Sequence, residues 1–297
     1  MLPEVLNKTF KVTRQLASGG FGQIYEGMNI FTNQHVAIKM EKKNDSHSYL
    51  KNEANIYTYL HNLEQPPDFI SRSSHFFCEN EHNYLVMDLL GPSLSDLFKK
   101  SGKSFSLKTI LMLVLMNLKI VEFFHSCNLI HRDIKPNNFL IGRGNKSKQL
   151  FLVDFGFTKK FLKDDGSHIP LIEYGGLTGT RRYASINNHL NLESSRRDDL
   201  ISLGYSWIYL LKGELPWQNI KGTKKEKILK AKDIKMKVSV DELCRDIPKE
   251  FALYLNYCSK LDFEATPDYQ YLKKLFCNLF EESKYVMDYK FCWNQNQ

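Results

Sequence analysis

The sequence predicts an α+β protein with two lobes, a small β-rich lobe over residues 1–90 and a larger, mostly α-helical lobe over residues 91–297. Two observations support this prediction. A chain of 297 residues exceeds the ~100–200 residues of one ordinary domain, so it has room for two parts. Hydrophobic patterning also changes near Gly91, because short alternating runs precede this glycine and long runs of helical periodicity follow it.

The segments before Gly91 are mostly strand-like. Partial alternation predicts strands over residues 10–16, 23–29, 35–40, 76–79 and 84–89, with one helix over 46–63. After Gly91, periodicity predicts helices over residues 106–125, 197–212, 248–261 and 269–283. The helix 106–125 carries an apolar stripe, which we interpret as the face of a buried core helix rather than a binding surface. Its members are Leu107, Ile110, Leu111, Val114, Leu118, Val121 and Phe124.

Composition limits the classes of protein to which this chain can belong. Lys and Arg number 41 against 33 Asp and Glu, so the formal charge of +8 permits anionic partners without choosing among them. The longest apolar run, residues 110–116, is far shorter than the ~20 residues of a membrane span, and the N-terminus resembles no signal peptide. The six cysteines lack the spacing of a disulfide scaffold or zinc site. We therefore expect a soluble monomer of the cytoplasm or nucleus that binds no membrane.

A glycine-rich turn occupies residues 17–22, with the sequence Ala-Ser-Gly-Gly-Phe-Gly. Because they lack Cβ atoms, Gly19, Gly20 and Gly22 would let backbone N–H groups approach phosphate oxygens closely. A dinucleotide-binding fold needs a helix directly after such a turn, and a P-loop needs Gly-Lys followed by Ser or Thr, whereas a strand is predicted here. The turn suits a β-hairpin lid over a nucleotide, and a tight turn without a ligand is the alternative.

A lysine and a glutamate farther along the chain favour the nucleotide. Lys39 ends the run Val-Ala-Ile-Lys on the predicted strand 35–40, where alternation can direct its ammonium toward the glycine-rich turn. Glu53, on the predicted helix 46–63, is a carboxylate that can orient this lysine against phosphates. The alternatives are a solvated lysine and a surface carboxylate.

The most specific motifs are His-Arg-Asp-Ile-Lys-Pro-Asn-Asn over residues 131–138 and Val-Asp-Phe-Gly over residues 153–156. Together with Lys39, they resemble the signature set of protein kinases. The resemblance implies that Asp133 accepts a hydrogen bond from a substrate hydroxyl and aims it at the γ-phosphate of ATP. It also implies that Lys135 stabilises the transferred phosphate, as the motif lysine does in kinases specific for Ser or Thr.

The same resemblance implies a magnesium site and a structural histidine. Asn138 and Asp154 would supply the oxygen ligands that Mg²⁺ prefers. His131 is expected to pack beneath Phe155 rather than to act as a general base.

Further segments resemble the casein kinase 1 family, and this similarity extends from about residue 10 to residue 293. The segments that carry it are residues 88–97, 179–187, 195–204 and 215–218. By this resemblance Asp199 caps the backbone of the catalytic loop, Met87 is the gatekeeper, and the hinge that meets adenine is Asp88, Leu89 and Leu90. The apolar walls around the adenine ring would be Leu16, Ile24, Ala37, Leu140 and Val153.

The chain departs from the family pattern at several positions. Ala17 replaces the first glycine of the glycine-rich motif, and Asn137 replaces an Asp that binds no metal, so neither change puts catalysis in doubt.

Substrate recognition departs from that pattern as well. The family prefers protein substrates already phosphorylated near the target, and Arg182 and Lys227 match its basic cluster. Ile172 and Gly175 stand where further basic residues are expected, which predicts a weaker preference for phosphorylated over acidic substrates. The lysine-rich run 221–237 is interpreted as a solvated helix face, with substrate or nuclear-import contact as the alternative.

Other functions fit the motifs less well. A pseudokinase, acting as an interaction module, should lack at least one of five residues, all of which are present: Lys39, Glu53, Asp133, Asn138 and Asp154. A small-molecule kinase of the aminoglycoside type would not carry the segment 179–187, which shapes a ledge for peptides. Nucleic acid as the main ligand has only the basic charge to support it, since no recognised module is present.

Overall fold

The computed structural model describes residues 4–19, 22–43 and 48–294. The chain divides into two compact units, the first made of Met1–Pro92 and Phe139–Thr158 and the second of Ser93–Asn138 and Lys159–Gln297. The sequence predicts a boundary after residue 90 and places Phe139–Thr158 in the second lobe. In the structure the first boundary follows Pro92, and Phe139–Thr158 packs within the first unit.

The strands, in chain order, are β1 (Val5–Leu6), β2 (Phe10–Gly19), β3 (Gly22–Asn29), β4 (His35–Lys42), β5 (Ser73–Glu79), β6 (His82–Asp88), β7 (Leu129–Ile130), β8 (Phe139–Ile141), β9 (Leu150–Leu152) and β10 (Lys159–Lys160). The α-helices are α1 (Tyr49–His61), α2 (Leu94–Lys100), α3 (Leu107–Ser126), α4 (Ile186–His189), α5 (Arg196–Lys212), α6 (Lys224–Lys237), α7 (Val240–Leu243), α8 (Lys249–Lys260) and α9 (Tyr269–Glu282). Short 3₁₀ turns lie at Pro136–Asn138, Gly144–Lys146, Phe155–Phe157 and Cys292–Asn294.

The main sheet of the first unit is antiparallel and has the order β1-β2-β3-β4-β6-β5. All five predicted strands are present in it, with ends shifted by up to a few residues. Apolar side chains from these strands, among them Phe10, Ile38 and Val86, form a buried core. The sheet is therefore fixed by a core of its own, and β4 in its middle can hold a buried polar side chain in a defined position.

Helix α1 follows β4 in the same unit. Ser48 caps its N-terminus, because the side chain accepts a hydrogen bond from the backbone N–H of Lys51 at 3.0 Å. The helix is shorter at both ends than the predicted 46–63, and Ser46 lies outside the described residues. Its buried residues include Glu53 as well as the apolar Tyr57.

The segment Phe139–Thr158 joins the first unit through a small hairpin. Strands β8 and β9 pair with each other, and Leu152 of β9 forms a parallel bridge to Ile70. The backbone N–H of Gly91 donates to the carbonyl of Ile141 at 2.8 Å. These bonds attach the hairpin to the rest of the first unit. The order of the sequence does not indicate this, because Ser93–Asn138 of the second unit lies between the two parts of the chain.

The second unit is mostly helical, and α3 runs through its core. As predicted for this helix, Ile110, Val114 and Leu118 are completely buried, and only Leu107 of the stripe is partly exposed. Trp207 on α5 donates its indole N–H to the Oδ1 of Asn117 on α3 at 3.0 Å, deep in the core. The core therefore fixes α5, whose first turn carries Asp198 and Asp199.

Candidate active site

In the first unit, Lys39 bridges two carboxylates. Its Nζ lies 2.6 Å from Oε2 of Glu53 on α1 and 2.6 Å from Oδ1 of Asp154. Glu53 is only 1% exposed, so the predicted orientation of the lysine by Glu53 is confirmed and the alternative of a surface carboxylate is wrong. Burial alone would lower the pKa of Lys39, but the charges of Asp154 and Glu53 outweigh it and raise the pKa, so this side chain is an ammonium.

The backbone around Asp154 is held by α1. Asp154 has a left-handed conformation, with φ 69° and ψ 67°, which turns its carboxylate toward Lys39. The side-chain amide of Asn52 donates to three backbone carbonyls just beyond it, those of Phe155, Gly156 and Thr158, at 2.9–3.3 Å. Helix α1 therefore both supplies Glu53 and fixes the segment that presents Asp154.

The glycine-rich motif includes the end of β2 and the start of β3, which pair with each other. Gly19 pairs with Gly22 there, while Gly20 lies outside the described residues. Gly22 has φ +115°, and a Cβ on it would lie 1.9 Å from the carbonyl oxygen of Met40 on β4. Close packing against β4 thus requires a glycine at position 22, whereas a Cβ at Gly19 would meet nothing within 4 Å.

The residues predicted around adenine all lie in the first unit. Ile24 pairs with Lys39 across β3 and β4, and Ala37 pairs with Met87 across β4 and β6. The side chain of Asp88 accepts a hydrogen bond from the backbone N–H of Arg72 at 3.0 Å. The remaining members, Leu90, Leu140 and Val153, are partly buried, and Leu16 is 41% exposed.

In the second unit, Asp133 is held by two side chains. Its Oδ2 accepts from the Nζ of Lys135 at 2.5 Å, and its Oδ1 accepts from the hydroxyl of Thr180 at 2.7 Å. Lys135 also donates to the Thr180 hydroxyl at 3.2 Å, which closes a triangle of hydrogen bonds. Asp133 is 3% exposed, so its carboxylate has a fixed position rather than a solvated, mobile one.

Asn138 is held by a hydrogen bond to the backbone of Asp133. Its Nδ2 donates to the backbone carbonyl of Asp133 at 3.0 Å, so a metal ion would have to bind its Oδ1. Asp154, in the first unit, carries a carboxylate of its own, and amide and carboxylate oxygens are each donors that fit Mg²⁺. Within the described residues, no group of three or more His, Cys, Asp or Glu side chains offers a separate metal site.

Asp199 of α5 fixes the start of the loop 131–138, the predicted catalytic loop. Its two carboxylate oxygens accept from the backbone N–H groups of His131 and Arg132 at 2.7 and 2.9 Å, which confirms the predicted cap. His125 lies against the same carboxylate at 3.1 Å. Burial alone would raise the pKa of Asp199, but the hydrogen bonds and the histidines lower it, so the group is a carboxylate.

The predicted basic cluster is only partly assembled. The Arg182 guanidinium stacks over the Tyr209 ring at 4.9 Å, and the Trp217 indole N–H donates to the Arg182 carbonyl at 2.7 Å. Arg181, which the sequence did not single out, donates to the backbone carbonyl of Lys227 at 3.2 Å. Helix α6 is therefore joined to the Arg181–Arg182 segment by the Arg181 side chain, which brings the backbone of Lys227 near it.

A family model described as the protein kinase domain matches residues 10–280. The chain belongs to the protein kinase family. The predicted α+β, bilobal kinase fold is confirmed, with an N-terminal sheet and helix α1 that hold the Lys39–Glu53 pair and a helical C-terminal part. No helix in the described part of the chain is long and apolar enough to cross a membrane.

Besides Arg181, two residues of this kinase domain make contacts that the motifs of the sequence do not indicate. Thr180 forms hydrogen bonds with both Asp133 and Lys135. In the sequence, its position directly after Gly179 is the feature that could have indicated this role. A Cβ on Gly179 would lie 2.5 Å from the Arg132 carbonyl, so this glycine brings Thr180 against the catalytic loop.

The second is Lys235, which corrects the expectation that the lysines of α6 are all solvated. It is 3% exposed and donates to the carbonyls of Arg181 and Ala184 at 3.0 and 2.5 Å. Burial lowers the pKa of Lys235 well below its usual value, and nearby Arg181 lowers it further. Helical spacing could have indicated the burial of Lys235, because this residue follows the buried Ala231 by one turn of α6.

Proposed function

We propose that this kinase domain transfers the γ-phosphoryl group of ATP to serine or threonine of protein substrates that are acidic or already phosphorylated. The observation that carries the proposal is the hydrogen-bonded triangle of Asp133, Lys135 and Thr180, which fixes a carboxylate and an ammonium side by side. Phosphoryl transfer requires mainly positioning and neutralisation of charge, and this triangle supplies both. The resemblance to the casein kinase 1 family supports the choice of substrate class.

In this proposal, the first unit binds the nucleotide. Lys39 is an ammonium with two carboxylate partners, the buried Glu53 and the partly buried Asp154, so its Nζ has a defined position from which it can bind phosphate oxygens. The backbone of Gly19, Gly20 and Gly22 would cover the phosphates, with adenine against the residues of β3, β4 and β6. Asp154 and Asn138 would hold Mg²⁺, which when bound neutralises charge on the phosphates of ATP.

Asp133 would orient the substrate hydroxyl and accept its proton. Asp133 is buried, and both oxygens of its carboxylate already accept hydrogen bonds. A substrate hydroxyl would therefore join or replace the Thr180 hydroxyl, a chemically equivalent donor, at Oδ1. Lys135 is close enough to neutralise the charge that develops on the transferred phosphoryl group.

The pseudokinase alternative is less well supported. A kinase fold that has lost catalysis has no need to hold Lys39, Glu53 and Asp154 in a charged cluster of buried and partly buried side chains, since desolvating charges is unfavourable unless they are used or well paired. The hydrogen bonds from Lys135 and Thr180 that hold Asp133 are likewise suited to phosphoryl transfer.

The proposal is tested by profiling the purified protein with ATP and Mg²⁺ on a peptide library that contains Ser, Thr and Tyr targets, each with and without a neighbouring phosphoserine. We expect transfer to Ser and Thr, with acidic and phosphorylated peptides preferred. Transfer to Tyr alone, or no transfer to any peptide, would contradict the proposal.

Substrate phosphate is expected to increase kcat/KM only moderately. A phosphoserine carries nearly two negative charges, which Arg182 can meet with a forked contact and Lys227 with a point charge. On an open, screened surface each contact is worth at most about 1.5 kcal/mol, or about tenfold in kcat/KM. Ile172 and Gly175 add no positive charge to this cluster. We therefore expect a modest preference for phosphorylated over acidic peptides, and we expect this preference to fall with added salt.

The variants Arg182→Gln and Lys227→Ala test this expectation on matched phosphorylated and Asp-substituted peptides. Lys224→Ala and Lys225→Ala, which remove exposed lysines from the same helix, serve as controls and should leave the preference unchanged. If Arg182→Gln and Lys227→Ala both keep the wild-type preference, these residues do not recognise the phosphate.

The protein should also be active as isolated. The Lys39–Glu53 pair that activity requires in protein kinases is already formed. We therefore expect protein made in a bacterial host and treated with phosphatase to have full kcat. Activity that arises only after treatment with a second kinase would refute this.

A further inference from the structure

Glu193 is a buried carboxylate that no step of the proposed reaction uses. It is 1% exposed and lies at the end of the loop between α4 and α5. Charged side chains are seldom buried without a compensating role, because the loss of hydration is unfavourable unless partners replace the water. The partners of Glu193 come from three other parts of the second unit.

These partners occupy both oxygens of the carboxylate. Its Oε2 accepts from the Nζ of Lys159 at 2.6 Å and from the hydroxyl of Tyr174. Its Oε1 accepts from the backbone N–H of Ser194 at 3.0 Å and lies 3.9 Å from Nη1 of Arg132. Two cations, one hydroxyl and one backbone N–H thus converge on a single anion.

Each partner belongs to a segment that matters for transfer. Arg132 directly precedes Asp133, and Lys159 in β10 pairs with Ile130 in β7, just before the catalytic loop. Tyr174 lies in the stretch that leads to Thr180, and its backbone N–H donates to the carbonyl of Asn191 at 2.6 Å. The carboxylate therefore connects the predicted catalytic loop, the strand β10 and the stretch around Tyr174 that leads to Thr180.

The stretch around Tyr174 has few other anchors. Leu171, Ile172 and Tyr174 are all exposed hydrophobic residues, so apolar burial does little to hold it. Apart from the Glu193 carboxylate, the backbone N–H of Glu193 donates to the Ile172 carbonyl at 2.8 Å, and Glu173 bridges Leu192. These contacts lie next to Glu193, which makes this residue the main attachment point of the stretch.

We propose that Glu193 is a positioning residue that takes the place of an activating phosphate. In many protein kinases, phosphorylation of the activation segment creates an anion that pairs with arginine and orders the segment. Here a side-chain carboxylate pairs with Arg132 and Lys159 without modification. The arrangement is permanent, because no phosphatase can remove it. This inference rests on the proposed kinase activity and adds the reason for its independence from a second kinase.

We expect the negative charge of the Glu193 carboxylate, and not only the size of the side chain, to be required for full activity. Without Glu193, Arg132 and Lys159 lose the carboxylate that lies between them, so the repulsion between the two cations is no longer offset there. Arg132 is then expected to move, and Asp133 with it. A small carboxylate anion from solution should occupy the vacated position and restore part of the arrangement.

The experiment measures kcat and KM of Glu193→Ala and Glu193→Gln on one good Ser peptide, in the presence and absence of sodium acetate. We expect kcat/KM to fall about 10- to 100-fold in both variants, the size of effect given by losing charge-assisted hydrogen bonds. Acetate should raise the kcat of Glu193→Ala in a saturable way, while sodium chloride at equal ionic strength should not. Glu173→Ala, which removes an exposed carboxylate from the neighbouring stretch, should behave as the wild type.

The outcomes separate this inference from the proposed function. An inactive wild-type protein contradicts the proposed kinase activity. An active wild type with unchanged Glu193 variants overturns the positioning role. A folded Glu193→Ala variant that is inactive and not rescued by acetate also overturns it, because the residue would then be only structural. If Glu193→Ala does not fold, Glu193→Gln decides, since it keeps the shape and must still lose kcat.

Discussion

Replacing Asp133 with asparagine is expected to lower kcat about 10²- to 10⁴-fold, the range for loss of a general base. Asparagine keeps the size of the side chain and can still accept from Lys135 or Thr180 through its single oxygen. It removes the negative charge and the ability to take a proton from the substrate hydroxyl. Because ATP is bound by other residues in our proposal, its KM should change by less than a few-fold.

This first expectation is checked by steady-state kinetics on a good Ser peptide, together with thermal unfolding of the variant. The matched control is Asp164→Asn, which changes an exposed aspartate in the same unit and should leave kcat unaltered. A folded Asp133→Asn variant that keeps more than about a tenth of the wild-type kcat would show that Asp133 is not the base.

The second large effect is expected from Lys39→Met, which should affect both activity and stability. The side chain neutralises Glu53 and Asp154 at 2.6 Å, so methionine leaves the buried carboxylate of Glu53 and the partly buried carboxylate of Asp154 without their cation. Breaking a buried ion pair on one side typically lowers the free energy of unfolding by about 3–5 kcal/mol. Transfer should fall by orders of magnitude as well, since the phosphate anchor is lost.

A double variant separates the two effects. Lys39→Met combined with Glu53→Gln removes the uncompensated charge of Glu53, so much of the lost stability should return while activity stays low. The measurements are urea denaturation and kcat/KM for wild type, the single variants and the double variant. If the double variant recovers activity along with stability, Lys39 acts only on the fold and does not anchor phosphate.

Much of the fold could be predicted from the sequence because local patterns determine it. The strands of the main sheet alternate in part, helices such as α8 and α9 have strong hydrophobic periodicity, and their observed bounds differ from the predicted ones by a few residues. The pairing of Lys39 with Glu53 could also be predicted, because Lys39 ends a strand motif and Glu53 lies on the helix predicted to follow it.

Other features depend on contacts that no local pattern encodes. Asp154 accepts from Lys39 as well as being the expected metal ligand, and that contact requires residues far apart in the chain to meet. The placement of Phe139–Thr158 in the first unit depends on bonds to α1 and Ile70. The burial of Lys235 and Glu193 depends on tertiary packing, since isolated charged residues in a sequence are normally solvated.

The most direct measurement of the central claim is transfer of labelled γ-phosphoryl from ATP to a mixed peptide pool, followed by identification of the phosphorylated amino acid. Wild-type protein and Asp133→Asn are compared in Mg²⁺ and in EDTA. We predict labelled phosphoserine and phosphothreonine from the wild type with Mg²⁺, and only background with EDTA or from the variant. Absence of labelled peptide from folded wild-type protein with Mg²⁺, or label on tyrosine alone, would contradict a Ser/Thr protein kinase.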